Sequence, residues 1–133
     1  METKQVIVIR KDLAMRKGKM IAQGAHASMK VILDKMSTTY IGGEAVDKRL
    51  YLKKENPMYH WIQGLFTKVV VGCNSKEELY ELAEKAAMFK IPFAVIEDAG
   101  LTEFHGEKTV TALAIGPDEV SKIDEITGHL KLL

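Results

Sequence analysis

Apolar residues along this chain follow two kinds of pattern. The first is a short continuous run: Val6-Ile7-Val8-Ile9, then Val69-Val70-Val71 after Lys68, then Phe93-Ala94-Val95-Ile96. Runs this short, rich in β-branched residues, predict strands covered on both faces. Thr109 to Ile115 predicts a fourth strand, alternating at first and then apolar. The second pattern has helical period. Ile21, Ala25, Met29, Ile32 and Met36 recur at i, i+4, i+8, i+11 and i+15, which predicts a helix from about Lys19 to Met36 with this stripe buried. Leu79, Leu82, Ala83, Ala86 and Ala87 mark the inner face of another helix, opened by the capping box Ser75-Lys76-Glu77-Glu78 and ended by Ile91-Pro92. Asn56-Pro57 is a helix start, an N-cap followed by Pro at the first helical position. Gly116-Pro117 is expected to open a last helix that Gly128 closes. Ser37 to Gly43 reads as loop, and Glu44 to Glu55 has no clear pattern.

Strands alternating with helices indicate an α/β domain. Only about ten residues without helical pattern separate the third and fourth strands, so the fourth is expected to run antiparallel to its neighbour. The 133 residues suffice for one domain with a proper core, spanning 1–133, and are too few for two. Hydrophobic content of 47% and charged content of 28% fit a soluble globular protein. Cys73 is the one cysteine, which excludes intrachain disulfides and cysteine metal sites, and its place at the end of an apolar run suits a small buried filler. No apolar run approaches the ~18 residues of a membrane span, and the N-terminus lacks the apolar stretch of a signal peptide. A cytoplasmic location is the expectation.

Formal net charge is +1, so any attraction for anions must come from local clustering. Such clustering occurs where the first strand ends: Arg10, Lys11, Arg16, Lys17 and Lys19 sit close together, with Asp12 the one acid among them. Within the first helix, Lys19, Gln23, His26 and Lys30 share a face at i, i+4, i+7 and i+11. That face holds a proton-transfer group, an amide and two cations and no acid, a composition suited to an anionic ligand. Open α/β sheets place sites at the carboxyl ends of parallel strands. The segment Glu97-Asp98-Ala99-Gly100-Leu101-Thr102 leaves such an end, with a carboxylate, a flexible Gly and a hydroxyl in close succession. From sequence alone Asp98 fits turn chemistry as well as catalysis. His26 fits a half-buried structural contact slightly better than proton transfer, and Gln23 a structural or substrate-positioning role better than a chemical one. His60, His105 and His129 have no metal-ligand spacing, so no metal is expected. No G-x-G-x-x-G, P-loop or G-x-S-x-G occurs, which argues against nucleotide-cofactor enzymes and serine hydrolases.

The stretches KGKMIAQGAHASM (Lys17 to Met29), DAGLT (Asp98 to Thr102), TVTALAIGP (Thr109 to Pro117) and ITGHLKLL (Ile126 to Leu133) resemble the type-two peptidyl-tRNA hydrolases. The resemblance covers both ends of the chain and the order of elements between. It implies a three-layer α/β/α fold with a four-stranded mixed sheet, often dimeric, and hydrolysis of the ester joining a peptide to the 3′ ribose of tRNA without metal or cofactor. It implies that Lys19, Asp98 and Thr102 are functional, and Gln23 and His26 match the family's AQ-x-x-HA pattern. On this reading Asp98 orients or deprotonates water, Thr102 holds Asp98 or ribose hydroxyls, and Lys19 stabilises an oxyanion or phosphate. His26 has a suitable intrinsic pKa for proton transfer. Arg10, Lys11, Arg16 and Lys17, with Gln23, are expected to meet the substrate, the basic groups through its phosphates. Two features depart from the family: Leu101 stands where many members have Arg, and the stretch from Ser37 to Phe66 is longer than usual. The competing function is a non-catalytic tRNA- or protein-binding module on the same fold.

Overall fold

A computed structural model describes residues 1–133. The elements are β1 (Thr3–Arg10), α1 (Lys17–Asp34), β2 (Ser37–Ile41), β3 (Ala45–Arg49), α2 (Pro57–Gln63), β4 (Lys68–Cys73), α3 (Lys76–Met88), β5 (Phe93–Asp98), β6 (Thr109–Glu119) and α4 (Val120–Thr127). The four apolar runs form one mixed sheet in the order β4-β1-β6-β5. β1 and β4 pair in parallel, and β6 runs antiparallel to both β1 and β5. β1, β4 and β5 therefore point the same way and release their carboxyl ends along one edge.

Helices cover both faces, giving three layers. Val6, Val8, Leu113 and Ile115 meet Leu79, Leu82, Ile123 and Ile126 of α3 and α4 on one side. Ile7, Ile9, Ala94, Ile96, Ala112 and Ala114 meet Ala27 and Val31 of α1 and Met58 of α2 on the other. Continuous apolar strands follow directly, since alternate side chains enter different cores. The helix starts behave as their residue types require. The Asn56 side chain accepts from the Met58 amide and the Ser75 hydroxyl from the Glu78 amide. Cys73 is fully buried, and burial pushes its thiol up to about 11. No helix is long and apolar enough to cross a membrane.

Three expectations are corrected. Ser37 to Gly43 is not loop alone: β2 and β3 form a hairpin turned by Gly42-Gly43-Glu44. Gly116-Pro117 does not open a helix, because β6 continues through it to Glu119 and α4 begins at Val120. The largest correction concerns α1. Ile21 and Met29 are 73% and 56% exposed, Ala25 is exposed and Ile32 only partly covered. The face against the sheet is instead Gln23, Gly24, Ala27 and Val31. Small side chains there meet Ala94, Ala112 and Ala114, so helix and sheet approach closely. A Cβ added at Gly24 would already touch Ile7 at 3.6 Å.

A buried amide locks this arrangement. Gln5 is completely buried on β1, and its side chain donates to the carbonyls of Ser28 and Gly116 while accepting from the Ser28 hydroxyl at 2.5 Å. The rotation of α1 predicts a contrast in stability. Ala27→Leu, at a fully buried contact, should cost about 1–3 kcal/mol by overpacking. Ala22→Leu, on the exposed side of the same helix, should stay within about 0.5 kcal/mol. Urea unfolding of both variants measures the difference, and equal stabilities would contradict this seating of α1.

Candidate active site

β5 alternates, so Ala94, Ile96 and Asp98 face α1 while Val95 packs on the opposite core. Asp98 is the last residue of that strand and reaches the first turns of α1. There Lys19 Nζ donates to Asp98 Oδ1 at 2.9 Å and to Thr102 Oγ1 at 2.7 Å. Both partners of the ion pair are largely covered, with side chains 13% and 14% exposed. Gln23 Nε2 donates to the same Oδ1 at 3.3 Å. The Gly100 amide donates to Oδ2 at 2.9 Å. Three donors from a helix and a loop thus converge on one carboxylate, leaving Oδ2 with capacity for another donor.

Gln23 is oriented in turn from below. It is 2% exposed, and its Oε1 accepts from the Thr111 hydroxyl at 2.5 Å. Thr111 faces α1 because of a bulge. The β5–β6 register jumps from Ile96↔Ala112 to Glu97↔Val110, leaving Thr111 without a partner. Ala112 and Thr111 then both lie on the α1 side, against the ordinary alternation. Sequence reasoning did not single out Thr111. Its one signal was a polar residue opening an otherwise apolar run.

The loop from Asp98 to Thr109 is closed on itself. Gly106 N donates to Gly100 O at 2.8 Å and Glu107 N to Phe104 O at 2.9 Å. Gly100 has φ +83°, and an added Cβ would collide with the Glu107 backbone. The Phe104 ring lies 5.6 Å from Lys19 Nζ.

Lys19, Asp98, Thr102 and Gln23 are therefore brought together. His26, Arg10, Lys11, Arg16 and Lys17 do not join them, and Gln23 joins in a role other than the expected one. His26 is exposed and takes no part in these bonds. Gln23, expected to meet substrate, is buried with both ends of its amide engaged by the protein. Arg10 is committed as well: its guanidinium binds Asp12 at 3.1 and 2.6 Å and the Val110 carbonyl at 2.8 Å. Lys11, Arg16 and Lys17 remain exposed. α1 carries no acid in its first turn, so its positive end and these side chains form the cationic border of the site. No group of three or more His, Cys, Asp or Glu side chains converges as a metal would require.

The Lys19 ammonium bonded to Asp98, aided by the Gly100 and Gln23 donors, holds its carboxyl below the ordinary value against partial burial, which acts in the opposite direction. The folded carboxyl is more acidic than the unfolded one. Its ionisation therefore stabilises the fold at neutral pH, and that contribution is lost as pH falls through the folded value. Lys19→Ala should raise the Asp98 pKa toward its ordinary value, since the largest lowering contact is lost while burial remains. Carboxyl-carbon NMR titration reads this directly. The stability difference between wild type and Lys19→Ala should also narrow on acidification.

The chain is similar to known proteins along its whole length. The family described as peptidyl-tRNA hydrolase PTH2 matches residues 3–133. A peptidyl-tRNA hydrolase of Methanocaldococcus jannaschii is 43% identical, covering 98% of this chain and 99% of its own. Those of Thermococcus onnurineus and Sulfurisphaera tokodaii are 42% and 41% identical, covering 98% and 100% of this chain and 97% and 100% of their own. With that likeness running from end to end, the chain belongs to the peptidyl-tRNA hydrolase PTH2 family.

Proposed function

We infer that this protein hydrolyses the ester joining a peptide, or an N-blocked amino acid, to the 3′ end of tRNA. The observation that carries the reading is the Asp98 carboxylate, ionised and held by Lys19, Gln23 and the Gly100 amide beside a cationic helix end. A pure tRNA-binding surface gains nothing from a fixed carboxylate among its phosphate-seeking groups.

Ester hydrolysis needs an oriented water and stabilisation of charge on the carbonyl oxygen. The open position on Asp98 Oδ2 is where a water is held. A carboxylate with a lowered pKa is a weak proton acceptor, so Asp98 acts chiefly by aiming the water. The water oxygen bonds to the ester carbonyl carbon, the bond from that carbon to the ribose oxygen breaks, and the ribose oxygen takes up a proton given by the water. A free carboxylate and a ribose hydroxyl are left. Lys19 has three N–H donors, of which Asp98 and Thr102 use two. The third is free for the developing oxyanion. Thr102 fixes the ammonium and offers its hydroxyl to the ribose. Gln23 and Thr111 are positioning residues that keep Asp98 aimed. Lys11, Arg16 and Lys17 meet phosphates by charge, independent of sequence. A cytoplasmic setting, where translation generates such esters, belongs to this reading.

We also propose that the protein works as a homodimer. The apolar stripe that α1 turns outward borders a groove of about 800 Å³, with Phe66, Val70 and Leu133 on its other side. Ile21, Met29, Phe66 and Leu133 are each at least half exposed. Exposed apolar surface this contiguous marks an interface. Met29→Lys should shift the protein to monomer in light scattering. A wild type that is already monomeric would end the dimer proposal.

The activity is tested with purified protein and an N-acetyl-aminoacyl-tRNA. Asp98→Asn should lower kcat about a hundredfold or more while the protein stays folded. His26→Ala, outside the hydrogen-bonded cluster, should retain turnover within about threefold, below the ~100-fold scale of a positioned acid–base group. Near-normal turnover in folded Asp98→Asn would remove Asp98 from the mechanism, and a loss in His26→Ala equal to that of Asp98→Asn would return the imidazole to it.

A further inference from the structure

A polar cavity of about 570 Å³ lies beside the Lys19–Asp98 cluster. Its walls come from the loop after β5, the end of β1, and Lys76 and Tyr80 of α3. Phe104 belongs to both places, lining the cavity while standing 5.6 Å from Lys19 Nζ. The loop bonds that hold Asp98 and Phe104 together fix the cavity relative to the reacting carboxylate.

Five charged side chains around this space have no ionic partner within the chain. Lys76, Lys108, Glu97, Glu103 and Glu107 line it, and none occurs in any of the six ion pairs. The carboxylates do not converge as a metal site requires. A simple anion would meet three carboxylates, and a simple cation two lysines. The ligand that satisfies both signs carries a phosphate for the lysines, hydroxyl or amino donors for the carboxylates, and a flat ring for Phe104 and Tyr80. That is the chemistry of a nucleotide.

We propose that this cavity receives the 3′-terminal adenosine of tRNA, its base against Phe104 and Tyr80 and its phosphate toward Lys76 and Lys108. The proposal rests on the hydrolase reading. The scissile ester hangs from the ribose of that adenosine, so the nucleoside must sit within one nucleotide of Lys19. The large apolar groove fails this requirement. It lies on the opposite side of α1, and Lys17 and Lys68 are its only charged lining residues.

AMP carries the same base, ribose and phosphate and serves as the probe. Titrated into the labelled full-length protein, it should shift the amide signals of Tyr80, Phe104, His105 and Lys108. It should also inhibit hydrolysis of N-acetyl-aminoacyl-tRNA competitively. Tyr80 lies outside the catalytic cluster. Tyr80→Ala should weaken AMP and raise KM about tenfold each, the scale of one lost base–aromatic stack, with kcat within about twofold. Tyr80→Phe should restore both, which a merely structural role for the side chain would not separate from kcat. AMP shifts confined to other surfaces, no AMP binding at about 10 mM, or unchanged KM and AMP inhibition in folded Tyr80→Ala would each overturn the assignment. The AMP titration reads the cavity without any turnover. Failure of wild type to cleave the ester would therefore be recognised as failure of the hydrolase reading rather than of nucleotide binding.

Discussion

The ion pair between Lys19 and Asp98 sets the terms for everything around it. A carboxylate at a strand end and an ammonium on a helix can meet at 2.9 Å only if the helix lies close to the sheet. That closeness comes from the small residues between them, Gly24 and Ala27 on α1 against Ala94, Ala112 and Ala114 on the strands. Larger side chains at these positions would lift the helix and part the pair. Gln23 adds a second constraint. To bond both Asp98 and Thr111 it must point inward, which fixes the rotation of α1 as well as its distance. The outward stripe of Ile21 and Met29 is the consequence. Seating an amide beneath the Asp98 carboxylate turns the largest apolar residues of that helix to the surface.

The same cluster explains how a chain of net charge +1 presents a cationic site. Asp98 neutralises Lys19, so the pair itself contributes little field at a distance. The positive field comes from exposed Lys11, Arg16 and Lys17 and from the uncompensated start of α1. On the proposed reading, charge that draws the substrate and charge that acts on its ester are thus carried by different residues. Arg10 belongs to neither set. Tied to Asp12 and Val110, it clamps the end of β1 to β6.

The four strands of the sheet were legible because buried strands leave continuous β-branched runs that no helix here imitates. Capping residues marked the starts of α2 and α3 for an equally local reason. The buried face of α1 was not legible. Amphipathic reading weights large apolar side chains, whereas close helix–sheet packing selects glycine and alanine. The β2–β3 hairpin escaped for the opposite reason: apart from partly covered Asp47 its residues are exposed, so no burial stamped a period on it. In the site, Asp98 and Thr102 stood out after a strand end and Lys19 on a polar helix face, and the family resemblance singled out the three together. Thr111 could not, since a bulge that reverses which face a residue occupies depends on strand pairing and leaves no mark in the spacing. The expectation for His26 failed along the helix axis rather than around it: it shares a face with Lys19 but stands about two turns further on, exposed and without a bond to Asp98.

One loop joins the chemistry to whatever the protein selects. Asp98 begins it, Thr102 and Phe104 lie along it, and the Gly106-to-Gly100 bond closes it into a unit. Gly100 is indispensable to that closure, since its left-handed backbone and the adjacent Glu107 peptide leave no room for a side chain. The amide that steadies Asp98 is the amide of this same glycine. A change in the loop that widened the neighbouring cavity would therefore loosen the carboxylate as well. Cavity shape and carboxylate aim cannot vary independently in this fold, whereas the β2–β3 hairpin, which shares no bond with the loop, is free to change without touching either.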